Sequence, residues 1–280
     1  MTALVGRDLT APLKTVGGKS ARRRRLRSRV VVTQVALVVG ALGLWQLAGN
    51  LGWINTFLFG SPVGTAQILW RWIQDGTLLV NTAVTLYEAT VGFVIAVVIA
   101  IPLGIVLARS PFWDRVTEPF IDMANATPRF ALAPIFVFMF GLGSMMKIAL
   151  VITVVFFVIL INTMAGTKAI EEDFIRLGRI AGANRRQLLA RVVFPATGGY
   201  ILAGLRLSVP YALAAAVVGE MFSGNSGLGY LVSNQAGLLI VNGVFAAVIV
   251  LALVGWGLNS LVRALLSRTP WARMASRAAG

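Results

Sequence analysis

The sequence predicts an all-α membrane protein with six transmembrane helices and both termini in the cytoplasm. Three observations predict it. First, 58% of the 280 residues are hydrophobic and only 12% are charged, about half the charged share of a soluble domain. A single soluble core cannot absorb that much apolar surface. Second, five apolar stretches have the roughly 20 residues that a bilayer-spanning helix needs: about 30–49, 89–108, 148–166, 200–221 and 238–262. Third, the basic residues segregate along the chain in a way that only an even number of crossings explains.

The sixth crossing, 130–142, rests on that third observation. It has 13 residues, is interrupted by Pro134, and is preceded by Asp122, Asn125 and Arg129. Length alone reads it as buried or re-entrant. With six crossings and the N-terminus inside, the inner segments 1–29, 109–118, 168–195 and 263–280 hold 21 of the 25 Lys and Arg. The outer loops hold only Arg71 and Lys147, while Arg129 and Arg206 fall within spans. Deleting the sixth crossing moves the six basic residues of 168–195 outside, against the positive-inside rule. The chain then divides into a basic cytoplasmic tail (1–29), a first transmembrane helix (30–50), an external interfacial segment (51–79), a core with five transmembrane helices (80–266) and a second cytoplasmic tail (267–280).

In chain order, the tail opens with RRRRLRSR (22–29) ahead of an apolar run of about 20 residues, too long for the apolar region of a cleaved signal peptide. Orientation and anionic lipid account for these arginines, so the net charge of +15 needs no nucleic acid. VGGKSA (16–21) ends like a phosphate-binding loop, but Leu13 stands where that motif requires glycine. In the external segment Ser61 is placed to cap, and Pro62 to open, a short helix. Trp53, Trp70 and Trp72 are expected to anchor it at the interface. The last outer loop, MFSGNSGLGYLVSNQ (221–235), must border water or protein and is expected to form part of an outer gate. The absence of both His and Cys removes thiol nucleophiles, His-based triads, disulfides and the usual zinc sites. No catalytic or metal-binding residues are expected.

Two helices carry small residues every fourth position, which lets backbones approach closely in lipid. They are Gly92, Ala96, Ala100 and Gly104 in one helix, and Gly204, Ser208, Ala212 and Ala216 in another. Each ridge extends to an acid, Glu88 or Glu220, and opposite chain directions place both acids toward the outer ends. Acids near a span point to a functional site by default, the alternative being solvation or pairing at headgroup level. With Arg129 and Arg206 they are candidates for a translocation path or gate, the arginines pairing with acids or attracting an anion. Arg206 lies near the inner end, where it can also snorkel.

The cytoplasmic loop 168–195 is the most specific feature. In EEDFIRLGRIAGANRRQLLARVVFPA (171–196), Phe174, Leu177 and Ala181 recur at helical spacing, as do Leu188, Leu189, Val192 and Val193. Gly182 breaks the first short helix, Asn184 caps the second, and Pro195 is expected to end it. The pair makes a knob in the cytoplasm, or else lies flat on the inner leaflet.

Gly182, followed after nine residues by Val192, Phe194 and Pro195, resembles the EAA-loop signature of ABC importer permeases. Around it, PRFALAPIFVFMFGLG (128–143), INTMAG (161–166), AGLRL (203–207), VVGE (217–220) and SGLGYL (226–231) are similar to the nitrate/sulfonate/taurine-type group. The resemblance spans roughly 53–266. It implies a type I importer permease fold and a homodimer that opens alternately outward and inward in a bacterial inner membrane. It also implies two ABC ATPase subunits carrying ATP and Mg, an external solute-binding protein, and no cofactor on this chain. The implied ATPase-coupling loop includes Glu171, Glu172, Asp173, Arg176, Gly182, Ala183, Asn184, Arg185 and Pro195. The chain departs from the pattern at Arg176, where a Glu is usual, and at Leu177 and Gly178, where two alanines are usual. Implied solutes are nitrate, sulfonates or vitamin precursors. A self-contained secondary transporter or channel is the alternative; it predicts an internal repeat or a mid-membrane charge relay, and the sequence displays neither. A structural or sensory membrane protein has no need of two small-residue ridges and a cytoplasmic knob.

Overall fold

The computed structural model describes residues 17–268, and every regular element among them is helical. Residues 1–16 and 269–280 of the two basic tails lie outside the described residues, as do the side chains of 17–28, where the phosphate-loop look-alike falls. The chain forms two units, 1–63 and 64–280. The first contains α1 (Gly17–Asn50) and α2 (Thr56–Phe59). From Arg29 onward α1 is long and apolar enough to cross a membrane. Asn55 caps α2, its Oδ1 accepting the Phe57 N–H at 2.9 Å.

Helix α3 (Pro62–Gln74), which enters the second unit at Gly64, leads to α4 (Thr77–Ala108). Asp75 accepts the Thr77 N–H at 2.9 Å, which satisfies a free donor at the start of α4 and holds that carboxyl below its usual pKa. There follow α5 (Pro111–Ala126), a 3-10 turn (Arg129–Leu132), α6 (Ala133–Phe140) and α7 (Ser144–Lys168). The chain then continues through α8 (Glu172–Ile180), α9 (Arg185–Leu188), a π turn (Leu189–Val193), α10 (Phe194–Ser223), α11 (Leu228–Gly237) and α12 (Val241–Ser267).

Helix α7 is the centre of this unit. Its Leu150, Val151, Val155 and Ile159 are wholly buried, with α4 and α10 packed along it. The two small-residue ridges are the surfaces those helices turn toward it. A Cβ at Gly92 would lie 2.6 Å from the Val151 side chain, one at Gly104 3.0 Å from Thr163 Cβ, and one at Gly204 2.9 Å from Asn162 Cβ. Ala96, Ala100, Ser208, Ala212 and Ala216 are buried between these contacts. Lipid supplies no hydrophobic drive for helix pairing, so close dispersion contact of this kind has to hold the core together.

Among the described residues five helices are long and apolar enough to cross a membrane, or six if the pair 111–126 and 129–140, bent by 85°, makes one span. The stretch 109–118 enters α5, with Ser110 as cap and Pro111 in the first turn. Three sequence expectations are corrected. Trp72 is no interfacial anchor, since it packs beneath Leu228, Leu231 and Ala246, whereas Trp53 and Trp70 are exposed. The outer stretch 221–235 is largely helical, forming the end of α10 and most of α11. Pro195 does not end a helix, because Arg185–Phe222 runs on as one apolar rod. The π turn immediately before Pro195 widens the backbone where the proline ring would otherwise meet a carbonyl and where no N–H is available.

Candidate functional site

Four helices meet at a buried polar cluster. Asn81, Thr85 and Glu88 lie at i, i+4 and i+7 on α4, hence on one face. Lys147 comes from the first turn of α7 and Glu220 from the last turn of α10. The Lys147 ammonium pairs with Glu88 Oε1 at 3.0 Å, with the side chains 3% and 0% exposed. Its stem lies against Gly219, where a Cβ would stand 3.2 Å from Lys147 Cγ, so the Gly of VVGE makes room for the cation.

Glu220 serves the start of α11. Its Oε1 accepts the Thr85 hydroxyl at 2.6 Å and its Oε2 accepts the Gly229 N–H at 2.6 Å. Leu228 N–H donates to Thr85 Oγ1 at 2.8 Å, and Gly227 N–H donates to Asn81 Oδ1 at 2.7 Å. Three N–H groups that the end of a helix leaves free are thus all taken by side chains of α4 and α10. The glycines of SGLGYL follow from this. Gly227 has φ +107°, and a Cβ there would collide with the Glu220 carboxyl; one at Gly229 would stand 2.9 Å from Glu220 Oε2. The cluster fastens the ends of four helices together. It presents no exposed nucleophile or base, so its chemistry is that of a clasp.

The structure therefore brings Glu88 and Glu220 together, and it adds three residues that sequence reasoning missed. Lys147 was expected in an outer loop and is buried inside α7. Its position directly before a long apolar run was a legible signal. The one-face spacing of Asn81, Thr85 and Glu88 was another.

In the loop 168–195, Ala181 closes α8 and Gly182 turns the chain at φ +79°. Asn184 and Gln187 cap α9 reciprocally, at 2.8 and 2.9 Å. Leu188 is buried against Gly178, where a Cβ would stand 2.5 Å from its Cδ2, so the glycine replacing a usual alanine admits this leucine. Arg176 pairs with Glu172 at 3.5 Å on the exposed face, a contact of little stability value. Glu172 and Asp173 occupy the first turn of α8 and Glu171 precedes it, where negative charge suits the helix dipole. Ala183 and Pro195 are half-buried, and Arg185 is exposed. Phe174, Leu177 and Ile180 form an exposed apolar stripe.

Neither candidate arginine pairs with an acid among the described residues. Arg206 is exposed on α10. Arg129 donates to Asn125 Oδ1 at 2.7 Å and lies 4.8 Å from the centre of the Phe157 ring. It borders a cavity of about 460 Å³ between the bent pair, α7 and α10.

Comparison with known proteins places this architecture. The pattern of the binding-protein-dependent transport system inner membrane component family matches residues 100–269. The riboflavin transport system permease protein RibX of Chloroflexus aurantiacus is 32% identical over 245 residues, 88% of this chain and 91% of its own. The taurine transport system permease protein TauC of Escherichia coli is 29% identical, covering 89% and 94%. The nitrate import permease protein NrtB of Leptolyngbya laminosa is 28% identical, covering 94% and 93%. An inward-facing structure of the MetNI methionine ABC transporter superposes with a TM-score of 0.52 at 18% identity, covering 70% of this chain and 97% of that one, so the fold is shared. The chain belongs to the binding-protein-dependent transport system inner membrane component family, and is the multi-pass permease subunit of an ABC importer with no enzymatic role of its own.

Proposed function

We propose that this permease works as a homodimer with two cytoplasmic ATPase subunits, which bind the ATP and Mg, and with an external binding protein that delivers a small solute. It crosses a bacterial inner membrane six times with both termini inside. The solute is of the kinds named for its relatives: a sulfonate such as taurine, nitrate, or a vitamin or its precursor. The observation that carries this reading is mechanical continuity. The loop turns at Gly182, and α9, the π turn and α10 then form one rod from Arg185 to Phe222. That rod carries Glu220 at its outer end, inside the clasp with Thr85 and Gly229. ATPase movement felt by Glu171, Glu172, Asp173, Arg176 and the 182–185 turn is transmitted along α10. It opens or closes the outer clasp in alternation with an inner path. The apolar stripe of Phe174, Leu177 and Ile180 is the surface on which an ATPase docks.

Gly182→Asp tests the coupling. Nothing lies within 4 Å of the new Cβ, so the folding cost is limited to the left-handed backbone, about 1 kcal/mol. The variant is expected to reach the membrane and dimerise, but to lose ATPase co-purification or solute-stimulated ATP hydrolysis in reconstituted vesicles. Wild-type coupling with the ATPase normally bound would reduce the knob to a pair of membrane-surface helices.

A further inference from the structure

The cavity beside Arg129 has a place in the fold that demands an explanation. Val154, Val158 and Asn162 line it from the middle of α7, and Leu207 and Tyr211 from the middle of α10. The guanidinium is therefore held near the midpoint of two spanning helices. A charge at that depth is costly unless it faces water, protein or a counter-ion. Among the described residues no carboxylate pairs with it, and its Nε is buried with no hydrogen-bond partner. Asn125 takes one N–H and the Phe157 face steadies the planar group. The remaining donors have no partner among the described residues. Asn162 is placed alike: its amide donates one N–H to Val158 O at 2.8 Å and keeps a second donor for the cavity. Thr127, whose hydroxyl donates to Met123 O at 2.9 Å, and Tyr211 are also in the lining. About 460 Å³ accommodates a small solute.

We infer that this cavity is an anion subsite on the solute path, in which Arg129 and the Asn162 amide receive a small solute through a planar or tetrahedral oxoanion group. Its place on a solute path rests on the permease reading above; the anion preference rests on the geometry alone. A guanidinium presents a planar fork of donors that matches such oxygen pairs. Lipid headgroups do not reach mid-span depth, so an anionic lipid is not the occupant. Arg129 stands at the 85° bend between α5 and the Arg129–Phe140 segment and lines the cavity from there.

The native chain contains no cysteine, which permits a test that needs no knowledge of the solute. Single cysteines are placed at Asn162 and, as a second site, at Leu207. Each is reacted in right-side-out and inside-out vesicles with 2-sulfonatoethyl methanethiosulfonate and with its 2-(trimethylammonium)ethyl counterpart. The same thiolate attacks either reagent and displaces methanesulfinate, so the ratio of the two rates cancels changes in thiol reactivity and reports the charge preference of the cavity. With Arg129 present the anionic reagent is favoured. Arg129→Gln is expected to lower the ratio about tenfold, as opposite reagent charges near one guanidinium require at a dielectric between those of protein and water. Arg129→Lys keeps it near the starting value, and a cysteine at exposed Gln74 shows no change. An unchanged ratio at both cavity cysteines in Arg129→Gln overturns the inference, as does failure of both reagents to reach either cysteine from either side. ATP-dependent uptake judges the permease reading separately, and neither of its outcomes alters the meaning of the ratio.

Discussion

Replacing Lys147 by Met removes one partner of an ion pair whose side chains are 3% and 0% exposed at 3.0 Å separation. Glu88 Oε2 already lacks a partner among the described residues, and Glu220, a second carboxylate, belongs to the same cluster. Without the ammonium, Glu88 is left buried and uncompensated, which costs about 3–5 kcal/mol. For a chain of this size that corresponds to a fall in Tm on the order of 10 °C. The double variant Glu88→Leu/Lys147→Met removes both charges and replaces them with apolar groups of similar volume, which is often neutral or stabilising. It is expected to recover most of the loss. The assay is thermal unfolding of the purified full chain in detergent, run as a double-mutant cycle with both singles. A Lys147→Met protein as stable as wild type would refute the reasoning. So would a double variant no better than the worse single, since the damage would then lie in packing against Gly219 and not in charge.

Gly229→Ala places a Cβ against the Val217 carbonyl oxygen and 2.9 Å from Glu220 Oε2, and is expected to free the start of α11. Faster hydrogen exchange at 227–230 than in wild type is the measurement, and unchanged exchange rejects the clasp. Ala100→Leu and Ala212→Leu overfill the contacts with α7, costing about 1–3 kcal/mol each; normal uptake and normal melting in both would remove the ridges from the packing account. For topology, a cysteine at exposed Asn184 is expected to resist an impermeant thiol reagent applied outside intact cells, and labelling there sinks the inward placement of the loop.

The sequence by itself determined the elements that are set by local or one-dimensional physics. Apolar length marks the long helices because every buried backbone group in lipid must bond within its own segment. The distribution of arginines points to an orientation, and four-residue spacing marks Gly92 to Gly104 and Gly204 to Ala216 as close-packing surfaces. Family motifs survive as short strings, so the resemblance to the permease family was legible even with Arg176 in place of the usual acid. Only the tertiary structure decided which residues meet. Asn81 and Gly227 are 146 positions apart, and Lys147 finds Glu88 59 positions away. No periodicity connects such pairs, because the packing of α4 and α10 on α7 brings them together. The same holds for Trp72, whose burial beneath α11 depends on a neighbour that the local pattern cannot name. Pro195 looked like a stop because proline forbids an ordinary helical bond. The fold answers with a π turn, a local adjustment sustained by the packing of the rod on either side of it.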